Sequence, residues 1–184
     1  QILDWIQNNP VRYGINWANT MEVGIRVANW GIGFLFFQDS KHISDEFLLK
    51  FFRSCQQHGS HIFLNLENLQ PKTSNHYIGN IFGLFILSTV FPFFKQSEKW
   101  ENFSRNQLEL EIFNQTDKDG WSYEASTSYH KLITEMFLYS SALAENSSNS
   151  FTIDYKVHLS KMIEILSIIQ KPDNTIPQIG DNDS

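Results

Sequence analysis

A recurring turn limits how this chain can fold more than any other feature. The stretches "INWANT", "PKTSNH", "DKDGWSYEAST" and "KPDNTIPQIGD" are polar, carry Gly, Pro or Asn, and recur about every 50 to 55 residues. Between them the apolar residues follow helical spacing, and strand-like alternation is almost absent. One interval accommodates one helical hairpin, out along one helix and back along the next. Successive turns then fall at the same end of the assembly, the geometry of a helical toroid or solenoid. The alternative is an irregular helix bundle.

Start and stop signals divide the chain further. "TMEVGIRVANWGIGFLFF" predicts a helix with Met21, Ile25, Ala28, Ile32 and Leu35 on its apolar side and Thr20 as N-cap. "SDEFLLKFFRSCQQHG" predicts a second, capped by Ser44, acidic in its first turn and stopped by Gly59. A short helix over about 60–69 follows, broken at Pro71, and then helices over 75–91, 97–115, 126–145 and 154–170. Ser126 is a candidate N-cap. "YIGNIFGLFILSTVFPFF" approaches the length of a membrane span, but Asn80, Ser88 and Thr89 interrupt it and Pro92 ends it. It reads as a buried helix of a soluble protein. The expected class is all-α, with six to seven helices and residues 1–184 forming part of one toroid domain.

Composition narrows the partners. The 184 residues carry a net charge of −6 with no Lys/Arg cluster, which argues against nucleic acid as the main partner. Cys55 is the only cysteine, so neither an intrachain disulfide nor a Cys-rich zinc site can form. His42, His58, His61 and His158 lack metal-like spacing and read as surface or structural residues; no metal or other cofactor is assigned.

If the turns share a rim, their polar residues converge. That rim gathers Trp17 and Glu22, then Asn75 and His76, then Tyr123, Glu124, Tyr129 and His130, then Asp181, Asn182 and Asp183. Rings cover the apolar faces of sugars, while amides and carboxylates bond hydroxyls, so such a cleft suits a polysaccharide. Each residue also has a plainer reading. Asn75 and His76 fit a helix cap, Tyr129 a half-buried packing residue, and Glu124 a charge favouring a helix N-terminus. Trp17, Trp30, Trp100 and Trp121 fit a core. The residues alone therefore describe a helical repeat domain with a polar, sugar-compatible rim.

Three stretches go further. "NPVRYGINWANTMEVGIRVANW", "SNHYIGNIFGLFILSTVFP" and "DGWSYEASTSYHKLITEMFLYSSAL", closing with "PQIGDNDS", resemble the heparinase II/III-like polysaccharide lyases in order and spacing. The first is closest to the branch found among bacterial surface-polysaccharide genes. The resemblance covers nearly the whole chain and implies an incomplete (α/α) toroid, followed in full-length members by a C-terminal β-sandwich. Both ends of the sequence read as cuts through a longer protein, so an isolated fragment is expected to have little activity.

The implied reaction is β-elimination at a uronic acid in an acidic glycan such as heparan sulfate or alginate. By resemblance, Tyr129 matches the family tyrosine that acts as acid, and as base in some members. Asn75 and His76 would stabilise the charge that develops on the uronate, and His130 would orient or support Tyr129. Trp121 and Tyr123 are expected to face sugars, with Trp17, Glu124 and Asp181 as further contacts. Arg12 and Arg26 are candidate positive groups by position.

The sequence departs from the family pattern twice. Gly79 stands where some members have glutamate, and Tyr77 where members with an Asn-His-Arg start have arginine. Two rivals remain, a non-catalytic carbohydrate-binding toroid and a helical-repeat scaffold for a protein partner. A surface-glycan substrate suggests a periplasmic or extracellular location.

Overall fold

The computed structural model describes residues 1–69, 72–145 and 150–182. The Pro71 break and Asp183 lie outside the described residues. Seven α-helices span those that are described: α1 (Ile2–Asn8), α2 (Thr20–Phe37), α3 (Asp45–Leu64), α4 (Asn75–Val90), α5 (Ser97–Asn114), α6 (Thr127–Glu145) and α7 (Ile153–Ile168). A single 3₁₀ turn, Ile15–Trp17, precedes α2. No strand is present among the described residues; one isolated bridge pairs Thr116 with Ser122. The expected all-α class is the observed one. No described helix is long and apolar enough to cross a membrane, and α4 buries most of its residues.

The chain divides into two compact units. The first comprises Gln1–Glu67 with Gly79–Arg105, the second Asn68–Ile78 with Asn106–Ser184. The first is built on α2, α3 and most of α4 around Val23, Val27, Phe51, Ile62, Leu84, Leu87, Phe91 and Trp100. Phenylalanine rings extend that core, with Phe34, Phe51 and Phe52 each in edge or tilted contact with Phe91 at 5.4–5.9 Å between centroids.

The buried face of α2 differs from the expected one. It consists of Val23, Gly24, Val27, Ala28 and Gly31, while Leu35 is exposed. Glycine decides this. A Cβ on Gly24 would strike the carbonyl oxygen of Gly79, and a Cβ on Gly83 would lie 2.5 Å from the Cα of Gly24. Helices α2 and α4 therefore touch backbone to backbone, and only the glycine-bearing side of α2 can face α4. The N-cap is Asn19 and not Thr20, because the Asn19 side chain accepts the Glu22 N–H at 3.3 Å. Thr20 is the first helical residue and is buried.

Helix α3 starts as expected, with Ser44 Oγ accepting the Phe47 N–H at 3.2 Å. Its end does not follow the glycine rule. It runs through Gly59 to Leu64, so the separate helix expected over 60–69 does not exist. Gly59 serves packing: a Cβ there would come within 2.6 Å of both Leu87 and the Trp100 ring.

Replacing Gly83 with alanine drives a methyl into the Gly24 backbone, which has no rotamer to move aside. Thermal unfolding should show a loss of about 1–3 kcal/mol, the usual cost of overpacking a tight contact. An unchanged melting temperature would contradict the backbone contact.

Candidate functional site

In the second unit three of the polar turns meet through hydrogen bonds, at separations in sequence close to the expected repeat. At the start of α4, Ser74 Oγ accepts the His76 N–H at 3.3 Å and caps the helix. Asn75 is the first helical residue, not the cap, and a carboxylate from the next turn holds it. Glu124 Oε1 accepts the Asn75 backbone N–H and Glu124 Oε2 accepts the Asn75 side-chain N–H, both at 2.7 Å. Tyr123 Oη donates to the Thr73 carbonyl at 2.5 Å, tying the same two turns a second time. Beneath them the buried Glu111 carboxylate accepts from the Thr73 hydroxyl, from Gln115 at 3.1 Å and from Asn114 at 3.1 Å.

The loop that carries Glu124 is a pinned hairpin. Asp117 Oδ1 accepts the N–H groups of Asp119 and Trp121, and the Trp121 carbonyl accepts the Asp117 N–H. Gly120 sits at φ +94°, a conformation that favours glycine, and a Cβ there would meet Lys161. The loop then leads into α6, where Ser126 Oγ caps the helix by accepting the Tyr129 N–H at 3.2 Å, as expected. The third turn lies against that cap: Ser126 Oγ donates to the Asp181 carbonyl at 2.6 Å, and the Thr127 N–H to the Ile179 carbonyl at 3.0 Å.

His76 and Tyr129 are both half-buried, each in the first turn of its helix, α4 and α6. Asn75 is 5% exposed. Trp121 is half-buried and stacks on His130 at 4.8 Å and 18°. Tyr123 is exposed, but its ring carries the Lys72 ammonium 3.5 Å from the centroid. Burial and the neighbouring Glu124 and Glu111 carboxylates push its phenol up. Asp181 has an exposed side chain and contributes its carbonyl to the turn contact.

His130 is fully enclosed and both ring nitrogens are engaged. Nε2 donates to the Met162 carbonyl at 3.0 Å, and Nδ1 accepts the Ser122 N–H at 3.3 Å. That pattern selects the neutral ring with its proton on Nε2, and burial lowers its pKa. His130 therefore fastens the hairpin between α6 and α7 and does not present itself to a ligand, which corrects its expected place among catalytic groups.

Trp17 and Arg26 belong to the first unit. Trp17 is 3% exposed and packs against His58 and His61 at 4.5 and 5.2 Å between centroids, so it is core and not a sugar platform. Arg26 lies over the Trp5 ring at 4.3 Å and donates to the Asn16 carbonyl at 2.7 Å. Its other terminal nitrogen meets His58 Nε2 at 3.4 Å, while His58 Nδ1 bonds the Ser54 carbonyl at 2.8 Å. This guanidinium braces the turn before α2 and is largely spent inside the unit. Burial, together with Arg26 and His61, pushes His58 down to about 3.

Lys72 was not among the sequence candidates, although it stands in the quoted turn "PKTSNH" three residues before Asn75. A lone lysine in a turn carries no pattern; its placement over Tyr123 is what marks it.

With this geometry in hand, the comparisons with known proteins are direct. The sequence profile of the heparinase II/III N-terminus matches residues 1–184. A heparin-sulfate lyase of Pedobacter heparinus is 29% identical over 99% of this chain and 28% of its own length. A heparin-sulfate lyase of Bacteroides thetaiotaomicron is 27% identical over 97% of the chain and 27% of its own length. The crystal structure of a heparinase III superposes with a TM-score of 0.78 at 26% identity, over 94% of this chain and 26% of that one. The fold class is thus the one the sequence implied, part of an (α/α) toroid, and the chain spans a little over a quarter of the curated relatives it matches.

Two buried histidines give this fold a pH dependence of definite sign. His58 and His130 have lowered pKa values when folded, so below about 6.5 the unfolded chain binds protons that the native chain refuses. Stability present at pH 7 is lost as pH falls through that value toward the folded pKa of His58, about 3. Melts between pH 7 and pH 5 should show the loss, and His130→Gln, less stable at neutral pH, should show a shallower slope. An equal slope in the variant would contradict the neutral His130.

Proposed function

The chain belongs to the heparinase II/III N-terminal family, and from that premise we propose that it supplies part of the active site of a polysaccharide lyase. The substrate is an acidic, uronate-containing glycan of the heparan sulfate kind, and the reaction is β-elimination. The observation that carries this reading is the Asn75 amide, clamped by Glu124 at the start of α4 and followed directly by His76. Tyr129 lies in the first turn of α6, just past the same Glu124 loop.

The chemistry uses these groups in order. A base takes the proton at C5 of the uronate, its electron pair forms the double bond to C4, and the bond from C4 to the departing sugar oxygen breaks. An acid returns a proton to that oxygen. The C5 proton is only weakly acidic, so charge gathering on the adjacent carboxylate must be met by fixed donors, the role of Asn75 and His76. Tyr129 is the proton carrier, its phenol able to donate to the leaving oxygen and to accept from C5. Lys72, its ammonium over the Tyr123 ring, adds positive charge, which an anionic polymer needs on a protein of net charge −6. Trp121 and the open face of Tyr123 are sugar contacts, with Asp181 at the edge. A polymer of this kind places the protein in the periplasm or outside the cell.

The two departures from the family pattern have packing reasons. Gly79 is part of the close α2–α4 crossing, and Tyr77 is buried with its hydroxyl on Gln107 at 2.8 Å. Neither requires that turnover was lost, so the binding-only reading gains nothing from them.

The full-length protein, mixed with heparan sulfate and other uronate polymers, should generate the ultraviolet absorbance of an unsaturated uronate. Tyr129→Phe should lower the rate by about 100-fold or more, the usual worth of general acid–base catalysis. No absorbance on any acidic glycan, or an unchanged rate in Tyr129→Phe, overturns the proposal.

A further inference from the structure

The same carboxylate device occurs twice, and the difference between the two copies is informative. In the first unit Glu67 Oε2 accepts the Met21 N–H at 2.8 Å and the Asn80 side-chain N–H at 2.9 Å. The Glu67 N–H returns a bond to Asn80 Oδ1 at 2.7 Å, and Asn80 is fully buried. Both ends of that amide are used, and the clamp is closed. In the second unit Glu124 takes the Asn75 backbone N–H and one side-chain hydrogen. No bond closes the other side: among the described residues Asn75 Oδ1 and the second Nδ2 hydrogen have no partner.

We infer that Glu124 is a positioning residue, whose bonds to Asn75 fix which end of that amide meets the substrate. This rests on the lyase reading and assigns Glu124 a task other than the sugar contact expected from sequence. An asparagine amide has two nearly isosteric orientations, one leading with N–H and one with oxygen. A uronate carboxylate is met favourably by N–H and repelled by oxygen, so the wrong orientation removes a donor and adds a repulsive acceptor. A carboxylate partner accepts only, so it admits only the orientation with Nδ2 toward Glu124. The bond through one hydrogen leaves the other on the same nitrogen for the ligand. The carboxylate of Glu124 is anchored in turn by the backbone N–H of Asn75, so the orienting group is itself fixed by the helix it caps.

Glu124→Gln keeps the shape and offers Asn75 an acceptor and a donor in place of two acceptors. The Asn75 backbone N–H keeps its oxygen, and the facing amides then lock only if Asn75 turns over. In the full-length protein acting on heparan sulfate, kcat should fall about 10- to 100-fold, within the range for removing one oxyanion donor, with KM changed by less than about threefold. Asn75→Ala should lower kcat as well, and the double variant should be no slower than Asn75→Ala alone, because Glu124 acts through that amide. Glu67→Gln is the control for a purely structural clamp: its melting temperature should fall while kcat stays within about twofold of wild type. Additive losses in the double variant, or full kcat in Glu124→Gln, overturn the inference and leave the lyase reading standing. Absence of elimination by the wild type overturns both.

Discussion

Two carboxylates hold the beginnings of helices that the chain reaches some fifty residues earlier. Glu67 binds the first amides of α2 and Glu124 those of α4, at separations of 46 and 49 residues. Helix starts carry unsatisfied N–H groups and a partial positive charge, so a carboxylate there gains both hydrogen bonds and a favourable field. Each charge-assisted bond contributes about 1.5–3 kcal/mol when its partner would otherwise be buried unsatisfied. The polar turns of each unit keep their places because of these contacts. In the second unit the placement of Asn75, Tyr123 and the start of α6 follows from one of them.

The result is an unusual use of polar residues. A rim rich in imidazole, guanidinium and carboxylate looks like a surface waiting for a ligand, yet much of it is internal bracing. His130 joins a hairpin to two helices, Arg26 joins a turn to the Trp5 ring and a histidine, and Glu111 collects three donors, one of them Thr73. Outside that bracing stand the unbonded part of the Asn75 amide, the half-buried His76 and Tyr129, and Lys72 over the Tyr123 ring. A small set is compatible with the proposed elimination, which calls for one proton carrier and a few fixed donors.

How much of this could be read beforehand depended on the range of each interaction. Caps whose donor lies three residues away, at Ser44 and Ser126, were legible, as were the turn spacing and the all-α class. At α2 the neighbouring Asn19 took the role assigned to Thr20, because a threonine buried against the core cannot also turn back to its own amides. Gly59 had the sequence context of a helix stop, but its reason is a tryptophan forty-one positions away. Trp17 looked like a rim residue because it stands in a polar turn, and its ring folds inward onto two histidines that no local pattern ties to it. Glu124 was read as a rim carboxylate near the start of its own helix, and its partner, Asn75 at the start of α4, was not legible.

The contact of α2 with α4 also bears on how this chain can change over generations. Gly24, Gly79 and Gly83 lie in that crossing, and a Cβ on Gly79, where the family resemblance implies glutamate in some members, would come 2.7 Å from Met21 Cγ. A carboxylate there is not open to a single substitution, because the Met21 side chain on the facing helix must first give way. The crossing acts as an epistatic ratchet. Variation in ligand contacts is then expected at the turns, where Lys72 can be exchanged without moving a helix, and not on the spine of α4.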